Sequence, residues 1–468
     1  MARRQPRGVG WMKNDHRAQG EIPRMPSGLG QKLRLGVVRR SGSVAMSFAM
    51  PSPGRWPGGG TKNLNVMKLT HRLNRQRAST RPLTHLTGKV AMNNIDRTFW
   101  LNRRVLVTGH TGFKGTWLAA WLTDLGADVI GFAQPPTHAA PLHRAAALGE
   151  RMTHFVGDVR DRESLAAVVA EQDPEIVFHL AAQPLVLPGL KDPLHTFDVN
   201  VQGTLNLLEA ARRSRDLRAV VVVTSDKCYR QTSGFCTEDD HLGGHDPYSA
   251  SKACAEMIAH TYRHCYLTAE DGVGLATARA GNVIGAGDMS ADRLLPDLVR
   301  AAAAGRPVEL RHPDAVRPWQ HVLDALHGYI LLAQAVATDP QGRSGAWNFG
   351  PSSTSHWTVR RVAERICAAL GGRLDIRPPA QSVEAPILRL DAGKAARDLG
   401  WRSALDIETT IDWTLEGYAR LLDPSAGVTT AGASWLYRQI ERLERRAAAL
   451  CTATSGARRE DVHAGHTA

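Results

Sequence analysis

The chain has 468 residues, of which 43% are hydrophobic, 6% aromatic and 22% charged, and its formal net charge is +13. This balance is ordinary for a globular protein, and it excludes a collagen, a coiled coil and a wholly disordered chain. No apolar run approaches the roughly 18 residues that span a bilayer, so we expect no membrane anchor. A chain of this length can bury a substantial core in one large domain or two.

The positive charge is concentrated in the first part of the sequence. Residues 1–96 contain 18 Lys and Arg but 3 Asp and Glu, a net charge of +15, whereas residues 97–468 have a net charge of −2. The basic segment shows no sustained hydrophobic period, which predicts a disordered extension. Three interpretations stay open for it: a misassigned start codon upstream of Met92, a tail that binds nucleic acid or another surface, and an organellar transit peptide. The near-neutral remainder argues against nucleic acid as the main partner.

The cysteines give no sign of a metal site. Their spacing lacks the close pairs of a zinc site or a disulfide framework. The six are Cys228, Cys236, Cys254, Cys265, Cys367 and Cys451. We therefore expect reduced thiols, no bound metal and a cytoplasmic location.

From residue 97 onward, short apolar runs alternate with helical patterns. The predicted strands are 103–109, 128–133, 175–182, 219–225 and 274–285. The predicted helices are 115–127, 162–172, 204–214 and 248–266. Nearly continuous apolar strands alternating with helices indicate a parallel sheet that is buried on both faces, an α/β fold of the doubly wound Rossmann type.

This pattern suggests a division of the chain. We predict a Rossmann-type domain over 97–285 and a smaller mixed substrate lobe over 286–424, closing over the carboxyl edge of the sheet, where ligands bind in such folds. Residues 425–468 are predicted to form a C-terminal helix and a polar tail. The apolar side of that helix consists of Trp435, Leu436, Ile440 and Leu443.

A glycine-rich loop, residues 109–115 (GHTGFKG), lies between the first predicted strand and the first predicted helix. Gly109 permits a tight turn, Gly112 lets the backbone approach a pyrophosphate, and Gly115 lets the helix pack close to the strand. Because the helix N-terminus then faces the phosphates, the loop predicts a dinucleotide site. Gln134 follows the second predicted strand, at the position where NAD sites typically have an acidic residue that binds the ribose. This position therefore leaves the choice of cofactor open. Asp158 could flank the adenine or cap a turn.

Tyr248 and Lys252 are four residues apart at the start of a predicted helix, so they share one face. A tyrosine with an ordinary pKa of about 10 is a poor base at neutral pH, and a nearby ammonium favours the phenolate. We therefore expect Lys252 to lower the pKa of Tyr248. The phenolate could then take a hydroxyl proton while hydride leaves the same carbon.

Polar residues follow the apolar strand 219–223, at the carboxyl edge of the predicted sheet. They are Thr224, Ser225, Asp226 and Lys227. Reactive groups gather at this edge in parallel sheets, although a plain polar turn would have the same composition.

The motifs together resemble the nucleotide-sugar 4,6-dehydratases of the extended short-chain dehydrogenase/reductase superfamily, in particular those that act on CDP-glucose. The resemblance is colinear and spans roughly 97–420. The segments that carry it are GHTGFKGTWLAAWL (109–122), GDVRD (157–161), IVFHLAAQPLV (176–186), DVNVQGT (198–204), VTSDKCY (223–229), EDDHLGGHDPYSASKA (238–253), RAGNVIGAGD (279–288), RPWQHVLDAL (317–326) and AWNFGP (346–351).

The resemblance implies tightly held NAD and a dehydration without net redox change. Tyr248 would deprotonate the glucose 4-hydroxyl as hydride passes from C4 to NAD, water would leave across C5 and C6, and hydride would return to C6. Ser225 would bond to the 4-oxygen, and Asp226 would protonate the departing hydroxyl. Lys227 stands where related dehydratases have the Glu taken as the C5 base, which leaves the identity of that base open.

The resemblance also assigns binding residues. The cofactor residues that it implies are Gly109, Thr111, Gly112, Phe113, Gly115, Asp158, Val159, Leu180, Ala181, Ala182, Thr224, Tyr248 and Lys252. Asn282, Arg293 and Arg317 would bind the nucleotide-sugar substrate, since guanidinium groups suit a pyrophosphate. Members of the superfamily are usually dimers, so we expect a homodimer or a larger homo-oligomer.

Alternative functions remain open. One is another dehydratase, an epimerase or a reductase of the same superfamily, which would share the dinucleotide site. The others are a non-catalytic dinucleotide-binding protein and a nucleic-acid binder that uses residues 1–96. Retention of both Tyr248 and Lys252 favours an enzyme.

Overall fold

A computed structural model describes residues 94–136, 141–230, 234–377, 387–422 and 434–450. All of them fall within one compact unit, Thr87–Ala468. Nearly all of the predicted basic extension, residues 1–93, and the polar tail from residue 451 lie outside the described residues.

The strands of the described residues are short, and the central strands of the large sheet are the most buried. They are β1 (Arg104–Thr108), β2 (Asp128–Ala133), β3 (Thr153–Val156), β4 (Ile176–His179), β5 (Ala219–Val223), β6 (Gly274–Ala280), β7 (Asn282–Ile284), β8 (Pro307–Leu310), β9 (Val316–His321), β10 (Gly345–Phe349), β11 (His356–Thr358) and β12 (Arg373–Ile376).

The helices alternate with these strands. They are α1 (Arg97–Trp100), α2 (Phe113–Asp124), α3 (Pro141–Ala145), α4 (Arg162–Gln172), α5 (Val186–Lys191), α6 (Pro193–Phe197), α7 (Gly203–Ala211), α8 (Pro247–Cys265), α9 (Leu294–Ala303), α10 (Val322–Thr338), α11 (Pro340–Arg343), α12 (Val359–Leu370), α13 (Ile407–Leu421) and α14 (434–450).

Seven strands form the large sheet in the order β10-β6-β5-β4-β1-β2-β3. Every neighbouring pair in it is parallel. Strands such as Ala219–Val223 are buried at every residue, because helices cover both faces of the sheet. The strand order reverses between β1 and β4, and in such sheets a ligand crevice lies outside the carboxyl ends at that point. The predicted doubly wound Rossmann-type fold is confirmed.

Two helices position the residues of interest at this edge. Helix α2 begins inside the glycine-rich segment 109–115, with Gly112 as its N-cap and Gly115 in its first turn. Helix α8 begins after Asp246, whose side chain accepts a hydrogen bond of 3.0 Å from the backbone NH of Ser249, and Pro247 occupies the first turn, where its missing NH costs nothing. This cap places Tyr248 in the first turn, next to the carboxyl end of β5.

Two smaller sheets lie beside the large one. In one, β7 pairs in parallel with β9, and β9 pairs antiparallel with β11. In the other, β8 pairs in parallel with β12. These sheets form much of the mixed region predicted after residue 285.

The predicted boundary between residues 285 and 286 does not separate the two regions cleanly. Strand β10 pairs with β6 and is the seventh strand of the large sheet. Helix α10 packs against β5 and β6 and is buried along most of its length. The chain therefore returns to the Rossmann-type core after building part of the small lobe, because an apolar helix and strand can cover the open edge and face of that core.

The predicted C-terminal helix is confirmed over residues 434–450. Its four predicted apolar residues are buried, and the ring of Trp435 meets that of Trp117 on α2 edge-on, with centroids 5.5 Å apart. The amphipathic face therefore packs against the helix that follows the glycine loop. Among the described residues, no helix has the length and apolar character needed to cross a membrane.

Candidate active site

A cavity of about 720 Å³ lies at the carboxyl edge of the large sheet. Every site residue predicted from the sequence lines it. The lining includes the glycine loop and Asp158, the region of Tyr248, and Arg293 and Arg317 at the start of α9 and on β9. One cavity thus joins the predicted cofactor, catalytic and substrate residues.

The glycine loop has backbone geometry that larger residues would disrupt. Gly109 has a φ of +74°, and a Cβ added there would lie 2.7 Å from the backbone nitrogen of Ala181. A Cβ on Gly115 would lie 2.1 Å from the carbonyl oxygen of Gly109. No side chain caps the first amides of α2 at Gly112. The loop therefore leaves a bare backbone cradle beside a helix N-terminus, which suits a pyrophosphate.

An acidic residue of the cavity wall, Asp158, follows β3, whereas β2 ends without one. The side-chain amide of Gln134 donates a hydrogen bond of 2.8 Å to Asp158, and the backbone NH of Arg160 donates another of 2.9 Å. Hydrogen bonds from the Arg160 side chain are the main cause that lowers the pKa of Asp158 to about 2. Asp158 therefore both caps its turn and presents an ionised carboxylate to the cavity.

Tyr248 and Lys252 are both buried on the same face of α8. The ammonium of Lys252 donates a hydrogen bond of 3.1 Å to the carbonyl oxygen of Val223. Burial lowers the pKa of Lys252 to about 8, while the carboxylate of Glu256 acts in the opposite direction. The lysine thus loses its proton more readily than an exposed one.

The expected lowering of the Tyr248 pKa is wrong for the protein alone. Burial raises that pKa to about 12, and it outweighs a hydrogen bond with Ser225 and the positive charge of Arg293, which both favour the phenolate. The physical reason is that an anion loses its hydration in the buried site, and no charge of the surrounding protein fully compensates this loss.

The turn after β5 holds a buried carboxyl group. Ser225 donates a hydrogen bond of 3.0 Å to Oδ1 of Asp226 and accepts one of 3.2 Å from the backbone NH of Lys227. Oδ2 of Asp226 is buried, and none of the described groups bonds to it. Burial is the main cause that raises the pKa of Asp226, although the charges of Lys227 and Arg317 oppose it. This carboxyl group is held in a state suited to donating a proton.

Lys114 was not among the predicted site residues, but it also lines the cavity. Burial, followed by the positive charges of Arg293 and Lys252, lowers its pKa to about 7, while Asp226 and Asp288 act in the opposite direction. Its ammonium lies 5.9 Å from the ring centroid of Tyr329. A lysine inside a glycine loop was the available signal, but spacing alone does not tell whether its side chain points into the site.

The predicted substrate residues extend from three elements. Asn282 begins β7, Arg317 lies on β9, and Arg293 caps the start of α9. Arg293 donates hydrogen bonds to Asp288, at 2.8 Å, and to the carbonyl oxygen of Pro184, at 3.4 Å. Two guanidinium groups and an amide on one wall form a surface suited to phosphate oxygens.

Comparison with known proteins agrees with this site. A model of the NAD-dependent epimerase/dehydratase family matches residues 105–350, more than half of the chain. The CDP-glucose 4,6-dehydratase of Salmonella typhimurium is 42% identical over 325 residues, which cover 68% of this chain and 90% of that protein. A dTDP-glucose 4,6-dehydratase of Xanthomonas campestris pv. campestris is 29% identical over 340 residues, or 66% of this chain and 92% of that protein.

A solved structure of a related enzyme has a similar fold. The dTDP-glucose 4,6-dehydratase of Streptomyces venezuelae, crystallised with NAD bound, is 26% identical and superimposes with a TM-score of 0.60. The match covers 68% of this chain and 97% of that one. The two chains therefore share a fold over most of the length of the Streptomyces enzyme.

Proposed function

Because the chain belongs to the NAD-dependent epimerase/dehydratase family, we propose that it is a CDP-glucose 4,6-dehydratase. The substrate rests on the 42% identity to the Salmonella enzyme. The reaction converts CDP-glucose to the CDP-4-keto-6-deoxy sugar by oxidation at C4, loss of water across C5 and C6, and reduction at C6. Water is the only group lost, so the reaction has no net redox change.

The residues of the cavity fit NAD. The cradle at Gly109 and Gly115 would be filled by any Cβ, and the open start of α2 suits the pyrophosphate. Asp158, which Arg160 holds ionised in the cavity wall, is placed to flank the adenine. Bound NAD would supply the hydride acceptor for C4 and the hydride donor for C6, and its positive charge would favour the phenolate of Tyr248.

In the oxidation step, Tyr248 takes the proton of the 4-hydroxyl. Its raised pKa makes the phenolate a strong base once formed, and Ser225 supports the same oxygen by hydrogen bonding. Lys252 holds a positive charge one helical turn away, so its charged form assists this proton transfer.

In the elimination step, the new 4-ketone acidifies the C5 proton and the 6-hydroxyl leaves. Asp226 donates the proton that turns this hydroxyl into water, because its raised pKa keeps it protonated more often than an exposed carboxyl group. Lys227 lies next to it along the cavity wall and is the candidate base for C5. That role requires a neutral amine, so we propose it as a hypothesis, which Lys227→Met tests through the rate of solvent exchange at C5.

The observation that carries this proposal is the buried carboxyl oxygen Oδ2 of Asp226, to which no group of the described residues bonds. An epimerase or a reductase needs the dinucleotide site and Tyr248, but it has no departing hydroxyl for an acid to protonate. A dehydratase needs both. We also propose that the protein forms a homo-oligomer, acts in the cytoplasm, and recognises the substrate diphosphate through Asn282, Arg293 and Arg317.

The test is a turnover assay on the full chain with NAD and CDP-glucose. The proposal predicts the alkali-induced absorbance of a 4-keto sugar and a new methyl signal in the product. Parallel assays with dTDP-glucose and UDP-glucose report on the nucleotide. If the sugar only changes configuration at C4, the chain is an epimerase and the proposal is wrong.

A further inference from the structure

One buried ion pair bonds to Thr224 and Tyr229, the two residues that flank residues 225–228. This segment, which carries Asp226 and Lys227, is called the catalytic turn below. The pair joins Glu256 on α8 to Arg279 on β6, with Nη2 and Oε2 2.8 Å apart, and both side chains are at most 4% exposed. Neither residue is part of the cavity wall. We propose that Glu256 and Arg279 are positioning residues that hold the catalytic turn in place, and that Glu256 also supplies the negative charge facing Lys252.

The carboxylate of Glu256 holds the start of the turn. Its Oε1 accepts a hydrogen bond of 2.5 Å from the hydroxyl of Thr224, the residue that directly precedes Ser225. Its Oε2 accepts a hydrogen bond of 2.7 Å from Thr277 on β6. The same carboxylate therefore links the turn to the helix that carries Tyr248 and to the neighbouring strand.

The guanidinium of Arg279 holds the end of the turn. Its Nη1 donates a hydrogen bond of 2.7 Å to the hydroxyl of Tyr229, which directly follows the turn Asp226–Cys228. The Tyr229 hydroxyl donates in turn to the side chain of Asn348 on β10, at 2.7 Å. The catalytic turn is thus anchored before Ser225 and after Cys228 by the two partners of one ion pair.

Glu256 also follows Lys252 by four residues, which is one helical turn, so both side chains lie on one face of α8. Titratable groups around Lys252 come from several elements, namely Tyr248 and Glu256 on α8, Lys114 on α2, His179 on β4, and Cys228 after β5. Burial raises the pKa of the Tyr248 and Cys228 groups and lowers that of His179, which leaves those three uncharged at neutral pH. Among these groups, Glu256 alone supplies a negative charge.

Two predictions separate positioning from general stability. The first uses a matched pair, Thr224→Val and Thr277→Val, because each removes one hydroxyl from the same carboxylate and only Thr224 adjoins the turn. The inference, which rests on the proposed dehydratase function, predicts that Thr224→Val lowers kcat by about 10-fold or more at saturating NAD. Thr277→Val should leave kcat within about 2-fold while lowering the urea midpoint of unfolding about as much as Thr224→Val does, because each variant loses one hydrogen bond.

The second prediction concerns the charge of Glu256. In Glu256→Gln, Lys252 should lose its proton at lower pH. The alkaline limb of the pH profile of kcat should therefore shift to lower pH by about one unit or more. Since this change leaves Arg279 without its partner, the double variant Glu256→Gln/Arg279→Met removes both charges and should shift the limb in the same direction.

The outcomes distinguish this inference from the proposed function. If the wild type produces no 4-keto sugar, the proposed function fails. If the wild type is active, equal kcat values in the two threonine variants or an unshifted alkaline limb in both glutamate variants would overturn the inference. A kcat loss in Thr224→Val that disappears when NAD is raised would also overturn it, since the hydroxyl would then act on the cofactor alone.

Discussion

The ammonium group of Lys252 donates a hydrogen bond of 3.1 Å to the carbonyl oxygen of Val223. Val223 is the last residue of β5, and the turn that carries Asp226 follows it directly. The contact therefore ties the helix that carries Tyr248 to that turn. Tyr248 and Asp226, the proposed base and the proposed acid of the dehydration, thus line the same cavity.

The first prediction separates oxidation from elimination. Asp226→Asn keeps the size of the side chain but cannot donate a carboxyl proton to the departing hydroxyl. We expect the loss of about 10²- to 10⁴-fold in the rate of 4-keto-6-deoxy sugar formation that is typical of removing a general acid. Oxidation at C4 should persist, so reduced cofactor should accumulate and be visible by its absorbance.

Tyr248→Phe is the control for that experiment. It removes the base that starts the reaction, so neither reduced cofactor nor product should form at more than a small fraction of the wild-type rate. Equal accumulation of reduced cofactor in both variants, or full dehydration by Asp226→Asn, would contradict the assigned roles.

Lys114 should make substrate affinity depend on pH. Because its pKa is lowered to about 7, the side chain is charged below that pH and progressively neutral above it. We expect the KM for CDP-glucose to rise between pH 7 and pH 9 in the wild type, as the cavity loses a positive charge next to Arg293. In Lys114→Met, KM should be high throughout and nearly independent of pH over the lower part of this range. Lys191→Met, at the end of α5, is the surface control.

Buried histidines predict sensitivity to acid. Burial lowers the pKa of His110, His179 and His321 to about 3 and that of His327 to about 4. The unfolded chain, with pKa values near 6.5, then binds protons that the folded chain does not. Stability is therefore complete above about pH 6.5 and falls as the pH drops toward 4.

The variant His327→Phe tests this dependence. It keeps a ring against Trp121, with which His327 stacks, and removes one titrating group. Urea unfolding between pH 7 and pH 5 should show a slope lower by up to about 1.4 kcal/mol per pH unit. His264→Phe, at an exposed position, should leave the slope unchanged. An equal slope in all three proteins would show that buried histidines do not control acid unfolding.

The glycine loop provides a prediction on packing. In Gly115→Ala, the new Cβ meets backbone atoms of Gly109 and His110, which cannot rotate away. We expect a loss of roughly 1–3 kcal/mol in the free energy of unfolding, together with weaker NAD binding in a fluorescence titration. Gly149→Ala is the matched control, because nothing lies within 4 Å of its added Cβ. Similar NAD affinities in the two variants would contradict the proposal that the backbone at Gly109 and Gly115 binds the pyrophosphate of NAD.

Patterns local in the chain were sufficient for much of the fold. Apolar runs predicted the strand 128–133, whose bounds agree with β2, and the strand 219–225, which begins with β5 and runs two residues past its end at Val223. Strand β10 was missed because its partner β6 lies some 70 residues earlier, and no local pattern reports a long-range pairing.

The chemistry of the site was predicted only in part. Residue types at motif spacing identified Tyr248, Lys252 and Asp226, all of which line the cavity. The raised pKa of Tyr248 was missed because it arises from burial, which depends on the packed structure. Lys114 was missed because the direction of its side chain depends on how α2 meets the sheet.

The most direct test of the central claim follows one hydrogen atom. CDP-glucose carrying deuterium at C4 is converted by the full chain with NAD, and the product is analysed by NMR and mass spectrometry. The proposed reaction predicts that the deuterium moves from C4 to the C6 methyl group of a 4-keto sugar. Recovery of the deuterium at C4 of an epimerised sugar, with no methyl group formed, would contradict it.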